Sequence, residues 1–400
     1  MTAQPSPRKL PFTRVVFVMH SGWHFLFQRA HHFAARFREA GIETVVFEVS
    51  GLRSLAENLV TRTVSREQRD TADALWSAWY PYRIAQRLPR LEAAMQPAVE
   101  RSFRKFSERW LRDDTLLWLH GVNLLLPPEL LLAAPHGQSV VDICDDFAAF
   151  YPAGSRMHEK LVGWERATAT GADVVLASAA RLSERLAKLN PRTALVRNGV
   201  SAAFLAAGER ARDNLRPGAG RRLTVGYQGA FAEWFDWQLM EELVELMPDV
   251  EFRLLGRVYA GVRRQLERLA RHPNVRYAGL VPHEELPQAL AQLDVGLIPF
   301  VINDLTLATD PIKLYEYLGC GVPVAATLMP EVVAREERGV VRCAATAPEL
   351  AAAIRELGAT RFTKETLERR LSLARENSWD VRFEQVLAAL QPPPSLLRSV

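Results

Sequence analysis

Short, continuously apolar segments alternate with segments of helical periodicity along this chain of 400 residues, and they do so in two series. The predicted strands are residues 14–19, 43–49, 115–120, 139–143, 173–177 and 193–196 in the first series, and 223–227, 251–255, 275–278, 295–299, 322–326 and 340–343 in the second. Continuous apolar runs are typical of parallel strands that helices cover on both faces. The sequence therefore predicts an α/β protein with two Rossmann-like domains and a cleft between them, whose ligands bind beyond the carboxyl ends of the strands.

A break at residues 206–222 separates the two series. This segment is rich in Gly, Arg and Ala and has little apolar periodicity, so we interpret it as an interdomain linker. The N-terminal domain is then expected over residues 12–205 and the C-terminal domain over residues 223–378. A helical insertion, rich in Arg and aromatic residues, is expected at residues 54–112 of the first domain.

Charge, cysteine content and hydropathy exclude several classes of protein. The formal net charge of +4 is small and spread along the chain, which argues against nucleic acid as a partner. Three cysteines without a CxxC motif or a Cys/His cluster indicate neither a disulfide framework nor a structural zinc site. The first residues lack the apolar core of a signal peptide, and no apolar run approaches the roughly 20 residues of a membrane helix. We therefore expect a cytoplasmic protein that does not span a membrane.

The predicted insertion has two interpretations. Basic residues outnumber acidic ones between Arg83 and Arg112. This stretch can be a helical segment with a solvated basic face, or a basic amphipathic surface for an anionic membrane or a lipid-linked acceptor. The second interpretation implies a peripheral location at the inner face of the cell membrane.

The most informative segment is LTLATDPIKLYEYLGCGVPV at residues 305–324. Asp310 can cap a helix, and Pro311 can take its first position, where the missing N–H costs nothing. Lys313 and Glu316 then lie one turn apart at the mouth of the second sheet. Free N–H groups, the helix dipole and a lysine favour a diphosphate, and a carboxylate can accept hydrogen bonds from ribose hydroxyls. The residues alone leave open a nucleotide site or an ordinary capped helix that packs on a sheet.

The stretch DPIKLYEYLGCGVPVAAT resembles the donor-site helix of family 4 retaining glycosyltransferases, which typically read P-x-K-x-x-E-Y-x-A-x-G-x-P-V. The stretches VGYQGAFAEWFDWQLMEEL, FRLLGRV and NVRYAGLVPHEELPQALAQLDVGLIPF resemble the strands, Gly loop and helices of that family's C-terminal domain. DVVLASAARL and LVRNGVSAAF resemble the end of its N-terminal domain. NSWDVRFEQVL resembles its closing helix, expected at residues 379–391, which crosses back to the first domain. VVDICDDFAAF is similar to a subgroup that acts in polysaccharide assembly.

This resemblance implies the GT-B fold and the transfer of a hexose from a nucleoside-diphosphate sugar to a glycan or lipid-linked acceptor. The C-terminal domain would hold the donor, and the N-terminal domain would hold the acceptor. Such enzymes stabilise the leaving group with a helix dipole and cations, so neither a metal nor another cofactor is expected.

The resemblance also implies roles for individual residues. The catalytic candidates are His120, Lys313 and Glu316. The donor-binding candidates are Gly22, Gly226, Gly229, Arg257, Thr309, Asp310, Pro311, Ile312, Lys313 and Glu316. Glu316 would hold the ribose, Lys313 would lie near the diphosphate, and His120 would lie near the transferred sugar. Gly226 and Gly229 would leave space for the nucleotide.

The sequence departs from the family pattern at the donor site. Ala308 stands where the family usually has a carboxylate eight residues before Glu316, and Asp310 is near but out of register. The family's Arg and Lys after the Gly loop are replaced by AFAEWFDW, for which Arg257 could compensate. Asp142, Asp145 and Asp146 lack the Asp-x-Asp spacing of metal-using transferases. We interpret Asp145 and Asp146 as turn or acceptor contacts.

Three functions remain open at this point. The first is a retaining hexosyltransferase of cell-surface polysaccharide synthesis. The second is a nucleotide-sugar epimerase on the same fold. The third, suggested by Ala308 and the missing Arg and Lys, is a catalytically silent nucleotide-sugar-binding or scaffold protein of a glycan assembly complex.

Overall fold

The computed structural model describes residues 10–20, 22–23, 27–50, 71–80, 89–213 and 222–391. The chain divides into two compact units. The N-terminal unit comprises Met1–Val196 and Phe383–Val400, and the C-terminal unit comprises Arg197–Arg382.

A parallel sheet forms the centre of the N-terminal unit. Its described strands are β1 (Arg14–Met19), β2 (Glu43–Ser50), β3 (Ala74–Trp79), β4 (Thr115–His120), β5 (Gln138–Ile143), β6 (Val174–Ala177) and β7 (Thr193–Leu195). They lie in the order β3-β2-β1-β4-β5-β6-β7. The described helices of this unit are α1 (Arg29–Glu39), α2 (Pro89–Trp110), α3 (Pro128–Leu132), α4 (Arg156–Gly171) and α5 (Ala180–Ala187), with a 3-10 turn at Phe147–Phe150.

The C-terminal unit repeats this plan. Its described helices are α6 (Ala202–Asp213), α7 (Trp237–Leu246), α8 (Arg263–Leu269), α9 (Leu286–Ala291), α10 (Asp304–Leu307), α11 (Ile312–Gly319), α12 (Pro330–Val333), α13 (Ala347–Thr360) and α14 (Lys364–Glu376). The strands are β8 (Thr224–Gln228), β9 (Glu251–Leu255), β10 (Val275–Gly279), β11 (Val295–Ile298), β12 (Val324–Ala326) and β13 (Val341–Cys343). They lie parallel in the order β10-β9-β8-β11-β12-β13. A last helix, α15 (Trp379–Leu390), begins in this unit and ends in the N-terminal one.

The predicted fold class is confirmed, since both units contain parallel sheets connected by helices. The buried strands explain the continuous apolar runs. All six residues of β4, TLLWLH, are buried, as are all five of β8, TVGYQ. Parallel strands with both faces covered have no solvent side on which polar residues could alternate.

The predicted helical insertion at residues 54–112 is wrong over residues 74–79. These residues form β3, which pairs in parallel with β2 and lies at the edge of the sheet. Trp favours strands, and a strand needs a neighbour to pair with, which local helical periodicity does not reveal. The helical part of the prediction is confirmed over α2. Residues 54–70 and 81–88 lie outside the described residues.

Helix α2 has a buried aromatic face and an exposed basic face. Phe103 and Phe106 are fully buried, with ring centroids 5.3 and 5.1 Å from the ring of Phe47. The residues exposed on the opposite side include Arg101, Arg104, Lys105 and Arg109. This is the amphipathic pattern of a helix that packs on a sheet.

The predicted linker at residues 206–222 is helical in its first part, because α6 extends to Asp213. The segment has little apolar periodicity because the part of α6 that it contains packs through the small residues Ala207 and Gly208. A β-carbon at Gly208 would lie only 2.2 Å from the carbonyl oxygen of Gly319 on α11. Close approach of two helix backbones thus replaces the usual stripe of large side chains. The predicted domain boundaries at residues 205 and 223 remain predictions.

Candidate active site

Two polar side chains meet where β8 ends in the C-terminal unit. Gln228 is the last residue of β8, and Glu316 lies on α11. The Gln228 Nε2 group donates a hydrogen bond to Glu316 Oε2. Only 7% of Gln228 and 6% of Glu316 are exposed. Strand β8 and helix α11 thus hold the Glu316 carboxylate in a fixed place at the carboxyl end of β8, the side of a parallel sheet where ligands bind.

Tyr317 fixes α11 to the strands beneath it. The backbone N–H of Gln228 donates to the Tyr317 hydroxyl at 2.9 Å, and that hydroxyl donates to the carbonyl of Gly226 at 3.2 Å. A β-carbon at Gly296 of β11 would come within 2.5 Å of the Tyr317 ring. The glycine therefore lets the ring lie directly on β11, which sets the position of the neighbouring Glu316.

Lys313 lies one turn before Glu316, at the amino end of α11. Its Nζ atom is 5.7 Å from the Tyr227 ring centroid and 5.2 Å from that of Phe300. A β-carbon at Gly229 would approach Lys313 Cε to 2.3 Å. The ammonium group thereby lies close to Gly229, in the loop that follows β8.

Burial dominates the electrostatics of Glu316. Desolvation raises the pKa of its carboxyl group, while His283, Lys313 and the hydrogen bond from Gln228 lower it. A buried carboxylate that keeps a hydrogen-bond donor and nearby cations can accept hydrogen bonds from a ligand hydroxyl.

The prediction that Asp310 caps α11 is wrong. Pro311 occupies the N-cap position and makes no side-chain cap hydrogen bond. The Asp310 carboxylate accepts the Asn198 N–H at 2.6 Å and the Tyr315 hydroxyl at 2.8 Å. Asp310 is 2% exposed, so these internal partners, rather than the helix start, determine where its side chain lies.

The other predicted donor-binding residues surround the same strand ends. Gly226 lies inside β8, and the space of its missing side chain is filled by Leu293, whose carbons a β-carbon would meet at 2.5 Å. Arg257 follows β9 and is half-buried. The Thr309 hydroxyl donates to the Leu305 carbonyl at 2.9 Å. Pro311 is buried and Ile312 half-buried at the start of α11. The donor-binding roles of these residues remain predictions.

A second polar cluster lies at the carboxyl ends of the strands in the N-terminal unit. His120 ends β4, and its register partner on β5 is Asp142. His120 Nδ1 approaches Asp142 Oδ2 to 3.4 Å, and Arg29 Nε donates to both Asp142 oxygens at 2.9 Å. His20, just after β1, donates from Nδ1 to the His120 carbonyl at 2.9 Å.

The charges of this cluster follow from its burial. Burial would raise the pKa of Asp142, but Arg29 and His120 outweigh it and hold the pKa below its usual value. Burial, together with the neighbouring His120, lowers the pKa of His20 to about 3. His20 is therefore neutral and donates through Nδ1, whereas Asp142 is an anion that can orient the His120 ring.

The remaining candidates of the N-terminal unit lie in loops after strands. Gly22 is half-buried in the loop after β1. Asp146 accepts a hydrogen bond from Arg185 at 2.7 Å, and Asp145 precedes it in the turn after β5. The Asp146 carboxylate is thus paired with a residue of α5. Acceptor binding by either residue remains a prediction.

Several members of both clusters were not predicted from the sequence. They are Gln228, Tyr317, His20 and Arg29. Gln228 carried a usable signal, since it directly precedes the glycine that follows a buried strand. Arg29 carried none, because its partner Asp142 lies 113 positions away in the sequence. Among the described residues, His, Cys, Asp and Glu side chains form no group of three or more that could hold a metal ion. None of the described helices is long and apolar enough to cross a bilayer.

Comparisons with known proteins agree with this architecture. The sucrose-phosphate synthase of Thermosynechococcus elongatus superposes with a TM-score of 0.67 at 16% identity, covering 97% of this chain and 100% of that one. Anabaena Alr3699/HepE in complex with UDP and glucose superposes with a TM-score of 0.61 at 15% identity, with the same coverage. With two parallel α/β units and these neighbours, the chain has the GT-B fold.

The match to a protein-family model lies within the C-terminal unit. Residues 222–359 match the family model described as Glycosyl transferases group 1, so the resemblance inferred from DPIKLYEYLGCGVPVAAT is confirmed there. The chain is also 26% identical over 196 residues to the Bacillus subtilis (strain 168) protein named Putative teichuronic acid biosynthesis glycosyltransferase TuaH. That similarity covers 48% of this chain and 49% of the relative, so the chain spans about half the length of the relative that it matches.

Proposed function

We propose that this chain is a retaining glycosyltransferase. It moves a hexose from a nucleoside-diphosphate sugar to a glycan or lipid-linked acceptor, in the synthesis of a cell-surface polysaccharide. The observation that carries the proposal is the hydrogen bond from Gln228 to Glu316, on a helix whose first turn carries Lys313. It joins a fixed carboxylate and a cation at the carboxyl ends of parallel strands, where such sheets bind nucleotides.

The chemistry assigned to each group follows from its charge and place. Transfer breaks the bond between the anomeric carbon and the diphosphate and forms one, on the same face, to an acceptor oxygen, whose proton passes to the departing diphosphate. The N-terminal N–H groups of α11 and the Lys313 ammonium would stabilise the departing diphosphate. Glu316 would accept hydrogen bonds from the ribose hydroxyls. His120, oriented by Asp142, would lie near the transferred sugar.

The names of two similar proteins support the proposed donor and the proposed pathway. One solved neighbour is a complex with UDP and glucose, and the curated relative is named for teichuronic acid biosynthesis. The first name favours a nucleoside-diphosphate sugar as donor, and the second favours a polysaccharide as product. The cytoplasmic location and the absence of a metal requirement belong to this proposal.

Replacing Glu316 with Gln tests the donor site. The substitution keeps the size of the side chain and removes the negative charge of the carboxylate that would accept hydrogen bonds from the ribose hydroxyls. We expect the binding of UDP or GDP, measured by isothermal titration calorimetry, to weaken about tenfold, the size of one hydrogen bond to a charged group. Acceptor-dependent release of nucleoside diphosphate should fall with it.

Glu245→Gln is the matched control. Glu245 is exposed on α7, and the same change of carboxylate to amide should leave binding and turnover as in the wild-type protein. Unchanged donor binding in Glu316→Gln would refute the assignment of the site. Retention is tested by NMR of the product, since an inverted anomeric configuration contradicts that part of the proposal.

One observation favours a second function, a silent nucleotide-sugar-binding protein. Ala308 is 1% exposed and stands eight residues before Glu316, where the family usually has a carboxylate. Such a protein would bind nucleoside-diphosphate sugars without turnover over a panel of acceptors. Release of nucleoside diphosphate that depends on an added acceptor rules it out.

A further inference from the structure

Asp310 and Asn198 form a reciprocal pair of hydrogen bonds in the C-terminal unit. The Asn198 N–H donates to Asp310 Oδ2 at 2.6 Å, and Asn198 Nδ2 donates to the Asp310 carbonyl at 2.7 Å. The Tyr315 hydroxyl donates to the other carboxylate oxygen at 2.8 Å. Because Asp310 is almost fully buried, loss of any of these partners would leave a polar group unsatisfied away from water.

Asn198 lies where the chain enters this unit, since the unit comprises Arg197–Arg382. The chain leaves the unit at Arg382, whose Nε donates to the Asn198 carbonyl at 2.9 Å. Arg382 also donates to the side chain of Asn377, and the Val200 N–H donates to the Asn377 carbonyl at 3.0 Å. The two chain crossings are thus hydrogen-bonded to each other and, through Asn198, to Asp310.

Charged groups surround this pair on several elements. The Arg335 and Arg382 guanidinium groups lie 5.3 and 5.8 Å from the Tyr315 ring centroid. Arg197 donates to Glu331 at 2.7 Å. Burial raises the pKa of Asp310 to about 6, with Glu331 acting in the same direction and Arg335 in the opposite one.

Asp310 lies next to the start of α11, so its contacts bear on where that helix lies. Asp310 lies two residues before the first residue of α11, and Pro311 between them supplies no side-chain cap. Because no side chain caps the helix, the contacts of Asp310 hold the chain where α11 starts. Lys313 and Glu316 follow within the next two turns and take their positions from that start.

We infer that Asp310 is a positioning residue that anchors the amino end of α11 to Asn198, at the point where the chain enters this unit. The inference rests on the proposed function for the identity of the ligand. It assigns to Asp310 no contact with the donor. The carboxylate acts by holding the backbone that presents Lys313 and the helix N–H groups.

The test compares Asp310→Ala and Asp310→Asn with the wild-type protein. Asn keeps an oxygen for the Asn198 N–H and an amide that can donate to the Tyr315 hydroxyl, whereas Ala removes both bonds. We expect Asp310→Ala to bind UDP or GDP about tenfold more weakly, a loss of about 1.4 kcal/mol in binding free energy, because the amino end of α11 is no longer held. We also expect faster amide hydrogen exchange over residues 311–316. Asp310→Asn should bind and exchange like the wild type.

Asp294→Ala is the control for a merely structural loss. Asp294 is also a buried carboxylate in this unit and accepts the Thr224 N–H at 2.8 Å, at the amino ends of β8 and β11. It should lower the melting temperature and leave nucleotide affinity unchanged. Wild-type affinity in Asp310→Ala, or an equal loss of affinity in Asp294→Ala, overturns the inference.

The same experiment separates the inference from the proposed function. If the wild-type protein binds neither UDP nor GDP, the proposed donor site fails. The anchoring of α11 is then judged by hydrogen exchange alone. Equal exchange over residues 311–316 in the wild type and Asp310→Ala overturns it, and faster exchange in Asp310→Ala that Asp310→Asn does not show supports it.

Discussion

The Lys313 side chain lies against the backbone of Gly229, so closely that a β-carbon at Gly229 would come within 2.3 Å of Lys313 Cε and 2.8 Å of Nζ. Gly229 also has a φ of +136°, which side chains other than hydrogen rarely permit. The glycine after β8 therefore leaves the space that the end of the Lys313 side chain occupies in the candidate donor site.

Gly229→Ala should displace Lys313 and weaken nucleotide binding. We expect a loss of about 1–3 kcal/mol in the free energy of unfolding from backbone strain, together with reduced affinity for UDP or GDP. Chemical denaturation and calorimetry measure the two effects. Gly41→Ala is the control, because Gly41 has a φ of +79° with no atom within 4 Å of a β-carbon. If both variants bind nucleotide like the wild type, Gly229 has no part in placing Lys313.

Gln228→Leu should impair the site by removing the donor to Glu316. The buried carboxylate would lose a hydrogen bond that favours its charged form, so its pKa should rise further. We expect the free energy of unfolding to fall by about 1–3 kcal/mol and nucleotide affinity to fall with it. The control is Gln138→Leu. It removes the hydrogen bond from Gln138 to the Leu390 carbonyl within the N-terminal unit and should leave affinity unchanged. Equal affinities in the two variants would contradict this role of Gln228.

Asp142→Asn should destabilise the N-terminal unit and change its response to acid. The variant breaks the buried ion pair with Arg29, at a cost of about 3–5 kcal/mol. In the wild type the folded pKa of Asp142 lies below the unfolded one, so its stabilisation is present above about pH 4 and is lost as pH falls through the folded pKa. Urea unfolding at several pH values should show this loss in the wild type only. A parallel decline in both proteins would disprove the assignment.

The stabilisation contributed by Asp310 should depend on pH in the opposite direction from that of Asp142. Its pKa of about 6 in the folded protein exceeds the unfolded value of about 3.9, so its contribution is complete below about pH 4 and is lost as pH rises through 6. Two pKa units correspond to about 3 kcal/mol. The difference in unfolding free energy between the wild type and Asp310→Asn should therefore change between about pH 4 and 6. A constant difference over this range would show that Asp310 titrates normally.

The basic face of α2 should determine any contact with anionic lipid. Replacing Arg101, Arg104, Lys105 and Arg109 with Glu reverses four exposed charges without touching the buried Phe103 or Phe106. If this face binds a membrane, co-sedimentation with phosphatidylserine vesicles should fall strongly, since each basic residue contributes about 1 kcal/mol. Similar reversal of Arg355 and Arg375, exposed in the other unit, is the control. No difference between the variants leaves only a solvated helix face.

The sequence was sufficient for the class of fold and for the helix that carries Lys313 and Glu316. Apolar runs such as TLLWLH mark buried parallel strands because both of their faces are covered. The presence of a helix near Pro311 and the spacing of Lys313 and Glu316 on it follow from a proline and a helical period, which are local properties. The edge strand β3 was missed because it is specified by its partner β2, and α6 was missed because it packs through Ala and Gly.

The sequence by itself determined two series of strands and helices, and which helix would carry the lysine and the carboxylate. Only the tertiary structure decided how that carboxylate is held, because Gln228 and Glu316 are 88 positions apart. It also decided that Asp310 does not cap α11 but accepts a hydrogen bond from Asn198, which lies 112 positions earlier. A side chain's neighbours along the chain fix its secondary structure, but the partners of a buried polar group are supplied by whichever elements the fold packs against it.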